Sequence, residues 1–189
     1  MSGFVQFCNT LTPLTKEASE QFSTLIKHKT FKKGQIINKE GQICKHFFFI
    51  EKGLVKHYYH HKSRVFILRF FAENNVFTVL ESYLNRTPSK FTTVALEDTV
   101  VSYLTYDDLE KLCRNYHCID TLLKNIFLTS AVLNLKRTKE LFDDDATELY
   151  KSFVKENPHL VQRISLGDTA SYLGISQVTL SRIRAKFIF

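Results

Sequence analysis

The sequence predicts an α+β protein in three successive parts: an antiparallel, jelly-roll-like β-roll, one long helix, and a C-terminal helix-turn-helix. Three observations carry that reading. Between Phe31 and Thr105, short aromatic and β-branched runs alternate with Gly-, Asn- and Lys-rich breaks. From His117 to Phe142, apolar residues recur every three and four positions. From Ile164 to Lys186, two short helical patterns flank a glycine. The expected boundaries are 1–116 for an N-terminal helix and the β-roll, 117–142 for the long helix and 143–189 for the helix-turn-helix domain.

The strand expectations are Phe47 to Ile50, Leu54 to Tyr59, Val65 to Phe71, Phe91 to Ala95 and Val100 to Leu104. Gly34, Gly41 and Gly53 fall between runs, where hairpin turns need positive backbone angles. In the long helix, Ile119, Leu122, Ile126, Thr129 and Leu133 form one apolar stripe, and Leu123, Phe127, Ala131 and Leu135 form another. A helix apolar on two sides has two surfaces to bury, one against its own roll and one against the same helix of a second subunit, so a homodimer is expected, with Leu122 and Ile126 at the subunit contact. The alternative is burial inside a monomer, against which Lys124, Asn125, Asn134 and Lys136 keep the helix wet. Asp143, Asp144 and Asp145 end it and cap a further helix, Ala146 to Glu156, which Asn157 and Pro158 stop.

At the C-terminus, Ser165 caps a helix with Asp168 as a weak capping-box partner, and Leu166, Ala170 and Leu173 share one face. Gly174 sits where the chain must reverse, and the small Ala170 lets two steeply crossing helices touch. Ser176 caps a second helix that buries Ile175, Leu180 and Ile183 and turns Gln177, Val178, Ser181, Arg182, Arg184 and Lys186 outward. These side chains suit base edges: Gln bonds adenine through both ends of its amide, Arg grips guanine, and Val rests on a thymine methyl. The blander alternative is a helical corner used only for assembly.

With 189 residues, 44% hydrophobic, the chain holds a real core, and its net charge of +7 favours a polyanionic partner. No apolar stretch of about 18 residues is expected, and the N-terminus lacks the pattern of a secretory signal, so a cytoplasmic protein without membrane contact is expected. Cys8, Cys44, Cys113 and Cys118 then read as thiols, too loosely spaced for a cluster site. His57, His60 and His61 read as polar residues at a strand end rather than metal ligands, since in a strand only His57 and His61 share a face. Scattered Ser, His and Asp supply no nucleophile-and-base set, so no enzyme and no metal or cofactor is expected.

The order of parts resembles the cyclic-AMP receptor protein and Fnr (Crp/Fnr) superfamily of bacterial transcription regulators. The matching stretches are Phe31-Lys32-Lys33-Gly34-Gln35-Ile36-Ile37, then Gly41, then Phe48 through Lys56 with Gly53, and Ala170 through Arg184. The resemblance implies a roll of the cyclic-nucleotide-binding-domain type and a homodimer that reads double-stranded DNA, with an unidentified small-molecule effector and RNA polymerase as further partners. By that resemblance Gln177, Val178 and Arg182 take the base-reading positions, within a DNA-contacting set of Ser176, Gln177, Val178, Thr179, Ser181, Arg182 and Lys186. The effector pocket falls on Thr78, Val79, Leu80, Glu81, Ser82, Ser89, Lys90 and Phe91. Here the chain departs from nucleotide-binding members, whose Gly-Glu pair and downstream Arg hold ribose and phosphate. Thr78 replaces the Gly, Val79 the carboxylate and Ser89 the Arg, and Lys90 supplies a point charge but no bidentate fork. Binding a cyclic nucleotide in the usual manner is therefore not expected. The family's β wing is expected to be incomplete, with the apolar Phe187-Ile188-Phe189 covering the motif's core. The reading from a different class is a ligand-binding or protein-interaction module whose C-terminal helices serve assembly.

Overall fold

The computed structural model describes residues 3–186, so the cover expected from Phe187-Ile188-Phe189 lies outside the described residues. Two helices open the chain, α1 (Gly3–Leu11) and α2 (Lys16–Leu25), where one was expected. The roll follows: β1 (Lys27–Phe31), β2 (Ile36–Asn38), β3 (His46–Lys52), β4 (Val55–His61), β5 (Arg64–Phe71), β6 (Val76–Phe77), helix α3 (Leu80–Asn85), β7 (Thr92–Ala95) and β8 (Thr99–Thr105). Then come α4 (Tyr106–Asn115), the long α5 (His117–Asp143), α6 (Ala146–Glu156), α7 (Leu166–Leu173) and α8 (Gln177–Lys186). The five expected strands are β3, β4, β5, β7 and β8. The strands not singled out have little pattern to read: β2 and β6 span three and two residues, and β1 buries only its last residue, Phe31.

Two four-stranded antiparallel sheets, ordered β1-β8-β3-β6 and β2-β7-β4-β5, close face to face. Phe48, Ile50, Phe77, Val55, Ala95 and Val101 fill the space between them. The outer face of β3 carries Phe47 and Phe49 into a second cluster with Phe4 of α1 and Phe22 of α2. There the Phe4 ring stacks on Phe49 at 5.0 Å and meets Phe22 edge-on at 5.1 Å. Alternation therefore splits one aromatic run, Phe47-Phe48-Phe49, between two cores.

The α5 helix leaves the roll through Ile119, Leu122 and Leu123, all buried in the α1–α2 cluster. It corrects two expectations. By length and composition alone it is long and apolar enough to cross a membrane, because the polar residues that interrupt its apolar positions are single and scattered. Secondly, Leu122 and Ile126, expected between subunits, pack into the chain's own core, Leu122 buried and Ile126 half-buried. The most exposed apolar residues are Leu128, Val132, Leu135 and Phe142, spaced by about one heptad and its half, with Leu135 and Phe142 71% and 85% exposed; Leu133 and Leu141 are exposed to a lesser degree.

Asp145 caps α6 as expected, accepting from the amides of Thr147 and Glu148 at 2.8 and 3.0 Å. Gly53, between β3 and β4, has φ +107, and a Cβ there would lie 2.7 Å from Thr99 Cα and 2.9 Å from the Asp98 carbonyl. Gly34 is also left-handed, at φ +83, but has open space around it. Gly34→Ala should thus cost about 1 kcal/mol for its backbone angle, and Gly53→Ala about 3 kcal/mol or more because backbone must also move. The shift of the urea midpoint in each variant measures the difference.

Candidate nucleic-acid interface and effector region

The C-terminal motif is built by local capping. The Ser165 hydroxyl accepts from the Asp168 amide at 3.0 Å and starts α7. Gly174 closes it in the left-handed region at φ +72, and the Ile175 amide returns to the Ala170 carbonyl at 3.1 Å. Ser176 then accepts from the Thr179 amide at 3.0 Å and starts α8. Ala170, Leu173, Leu180 and Ile183 are buried together with Leu149 and Phe153 of α6, so both helices are pinned by one cluster, with Ile175 and Leu166 half-buried at its margin.

On the opposite side, Ser176, Gln177, Val178, Thr179, Ser181, Arg182, Arg184 and Lys186 are all exposed. Arg182, Arg184 and Lys186 form no salt bridge among the described residues, and α8 contains no acid. Gly167, which the sequence reading passed over, sets the direction of Gln177: a Cβ there would lie 2.7 Å from Gln177 Nε2. Nothing in the local sequence signals that contact, because it joins the start of α7 to the start of α8 across the turn.

A second feature missed in the sequence is how the motif sits on the roll. Arg163, just before α7, donates to Glu73 at 2.8 and 2.9 Å and to Glu97 at 3.0 and 2.8 Å. Lys56 on β4 reaches Asp168 on α7 at 2.6 Å, and Arg137 of α5 donates to the Tyr172 carbonyl at 2.6 Å. Between these contacts, Leu54, Ile67 and Phe70 of the roll join the α6–α7–α8 cluster. Arg163 holds the Glu73 carboxyl down at about 2, and its own guanidinium is pushed above the arginine range by the two carboxylates.

The structure brings the eight expected effector-pocket residues together around α3 and the turn before β7, but with their polar atoms bonded to one another or to backbone. Thr78 donates to the His46 carbonyl at 3.0 Å, and Ser82 bridges the Cys44 amide and Thr87 carbonyl at 2.9 and 2.6 Å. Ser89 bonds both the amide and the carbonyl of Phe91, while Lys90 is paired with Glu81 at 3.0 Å. Val79 is buried and Leu80 half-buried. Arg86, nearby, donates to the Cys44 carbonyl at 3.2 Å and stacks over Tyr106.

Phe91 packs on His57 at 5.1 Å, and this histidine corrects the strand-end expectation. Because β4 starts at Val55, His57 is mid-strand, buried inside the roll with Nδ1 2.8 Å from Thr93 Oγ1, and only His60 and His61 are exposed near the turn. All four cysteines are free, burial pushes the Cys8 and Cys113 thiols up to about 12, and no metal-binding cluster occurs among the described residues.

Residues 28–116 match the model of the cyclic nucleotide-binding domain family, a match that ends where α5 begins. No curated protein matches the sequence. Among solved structures, FixK2 from Bradyrhizobium japonicum is 21% identical with TM-score 0.75, over 85% of this chain and 83% of that one. A Crp/Fnr-family protein from Eubacterium rectale is 13% identical with TM-score 0.72, over 92% and 83%. The c-di-GMP-responsive global regulator CLP of Xanthomonas campestris is 13% identical with TM-score 0.70, over 91% of each chain. The chain has the Crp/Fnr fold. Within that Crp/Fnr frame, α5 is the helix that joins the cyclic nucleotide-binding domain to the C-terminal helices, and α8 is the exposed second helix of the motif.

Burial lowers His57 from 6.5 to about 4, so the folded roll holds it neutral while the unfolded chain takes up a proton near 6.5. Its contribution to stability is complete above pH 6.5 and is lost as pH falls toward 4, a loss of about 3 kcal/mol. His57→Gln should flatten the stability profile in that window. Glu73, also depressed, acts in a lower one, from its ordinary 4.5 down to about 2, and Arg163→Gln should flatten that limb alone. Urea unfolding across pH 2–7 for the two variants separates the windows.

Proposed function

We propose that the chain is a sequence-specific, DNA-binding transcription regulator that works as a homodimer. The observation that carries this reading is the exposed ridge of α8, where Gln177, Val178, Ser181 and Arg182 stand free beside cations without acidic partners. Base edges in the major groove take amide, guanidinium and methyl contacts of these kinds. In this reading Arg182, Gln177 and Val178 read bases. Ser176, Thr179 and Lys186, at the two ends of the helix, contact phosphate, helped by the free amides of the N-terminus. The 1–116, 117–142 and 143–189 segments then act as effector domain, dimer helix and reader.

The exposed seam of Leu128, Val132, Leu135 and Phe142 supports the dimer, since a heptad-spaced apolar stripe on an otherwise wet helix is what pairs two helices. Two recognition helices would then meet half-sites about 34 Å apart. The roll is proposed to respond to a ligand other than a cyclic nucleotide gripped in the usual manner. Lys90 is already neutralised by Glu81, and the hydroxyls of Thr78, Ser82 and Ser89 are already bonded. We place the protein in the cytoplasm, with RNA polymerase as a further partner, on the strength of the regulators that share its fold.

Selection from a random duplex pool tests the reading. Arg182→Ala should lose about 1–3 kcal/mol on the selected site and relax specificity there, whereas Lys186→Ala should weaken all duplexes alike and lower the salt slope by about one. Wild type that retains no duplex at all would leave α8 an assembly element. Separately, Leu135→Glu should convert dimer to folded monomer in sedimentation, which Leu122→Glu, placed inside the core, should not do without unfolding. A Leu135→Glu dimer would mean that the seam is not the interface.

A further inference from the structure

Four arginines among the described residues are half-buried: Arg69, Arg86, Arg137 and Arg163. Three of them are matched by acceptors within the chain: Arg86 by the Cys44 carbonyl, Arg137 by the Tyr172 carbonyl, and Arg163 by Glu73 and Glu97. Arg69 has no hydrogen bond or salt bridge among the described residues; its neighbours are the ring of Phe71, 5.8 Å from its guanidinium, and the phenol of Tyr172, which is not an anion at neutral pH. A guanidinium drawn out of water without an anion is costly, and burial accordingly lowers Arg69 from the ordinary arginine range.

Arg69 borders a cavity of about 360 Å³ between α1, the β5–β6 edge of the roll and α5. That size falls in the range of small-molecule sites. Its walls are apolar, with Phe7, Leu11, Phe71, Phe77, Ile126 and Leu133 among them. Its remaining polar lining, Asn74, Asn75, Thr78, Asn125, Thr129 and Ser130, is uncharged, so Arg69 is the single charge on the cavity. The cavity is also separate from the exposed seam of α5. At about 100° per residue, Ile126, Ser130 and Leu133 point to one side of the helix, while Leu128, Val132, Leu135 and Phe142 point to the other. A second subunit paired along the seam leaves the cavity open.

We propose that this cavity binds a monocarboxylate with an apolar alkyl or aryl body, its carboxylate held by Arg69. The planar guanidinium fork matches a carboxylate, one positive charge answers one negative charge, and the aromatic walls take the body. The proposal rests on the reading of the roll as an effector domain, but not on DNA binding by α8.

Titration calorimetry on the full chain tests it, with decanoate and 1-naphthoate as the alkyl and aryl acids, and decanol and 1-naphthalenemethanol as their uncharged counterparts. At least one acid should bind tenfold or more tightly than its alcohol, and which acid does so identifies the body. Arg69→Gln should erase that preference. Ser130→Phe, which fills the cavity and leaves the charge, should abolish binding of both acid and alcohol. Melting of each variant without ligand reports folding, and if Arg69→Gln does not fold, Ser130→Phe decides. No binding of either acid to wild type, or undiminished binding in a folded variant, overturns the proposal. A chain that binds an acid but no duplex keeps this site and overturns the reading of α8, and the converse result overturns this site alone.

Discussion

Arg163 is the constraint on which the arrangement of the molecule depends. It comes from the segment between α6 and α7, and its guanidinium spans two carboxylates of the roll, Glu73 after β5 and Glu97 between β7 and β8. Glu73 is itself committed elsewhere, accepting the Gly53 amide at 2.7 Å and so fixing the β3–β4 turn. One carboxylate thus joins a strand turn, the β5–β6 connection and the C-terminal motif. All three partners are partly exposed, so the ion pairs are worth less than their geometry suggests, and the cohesive energy comes from the shared apolar cluster of Leu54, Ile67, Phe70, Ala170, Leu173 and Leu180. The charges instead set the register in which that cluster closes, because a guanidinium bonded through several N–H groups tolerates little rotation.

The same connection continues into Asn74 and Asn75. The Asn74 amide bonds the Ile50 carbonyl at 3.0 Å with the side chain facing outward, and both residues border the cavity beside Arg69. The wall of the candidate ligand site and the anchor of the C-terminal motif are therefore consecutive residues of one turn. A ligand that changed this turn would act directly on the Glu73 carboxylate that Arg163 holds.

The α5 helix has three distinct surfaces rather than the two read from its periodicity. Its first turns are buried in the α1–α2 cluster, its middle borders the cavity, and its bare stripe runs from Leu128 to Phe142. Periodicity reports that a helix has apolar sides but not which body each side meets, so Leu122 read as well for an interface as for a core.

What the sequence by itself determined was local. Ser165, Gly174, Ser176 and Asp145 act on amides a few residues away, so their caps and turns were legible from residue type and spacing alone, as were the strands with full alternation and the outward ridge of α8. Substitution at Thr78, Val79 and Ser89 was equally legible, because the loss of a charged or flexible residue is visible without coordinates. What only the tertiary structure decided lies between residues far apart in the chain: Arg163 on Glu73 and Glu97, Gly167 against Gln177, His57 inside the roll, and Arg69 left without an acceptor. These depend on how two sheets, a helix bundle and a turn are brought into register. That register is set by long-range packing, which leaves no periodic trace in the sequence of any one element.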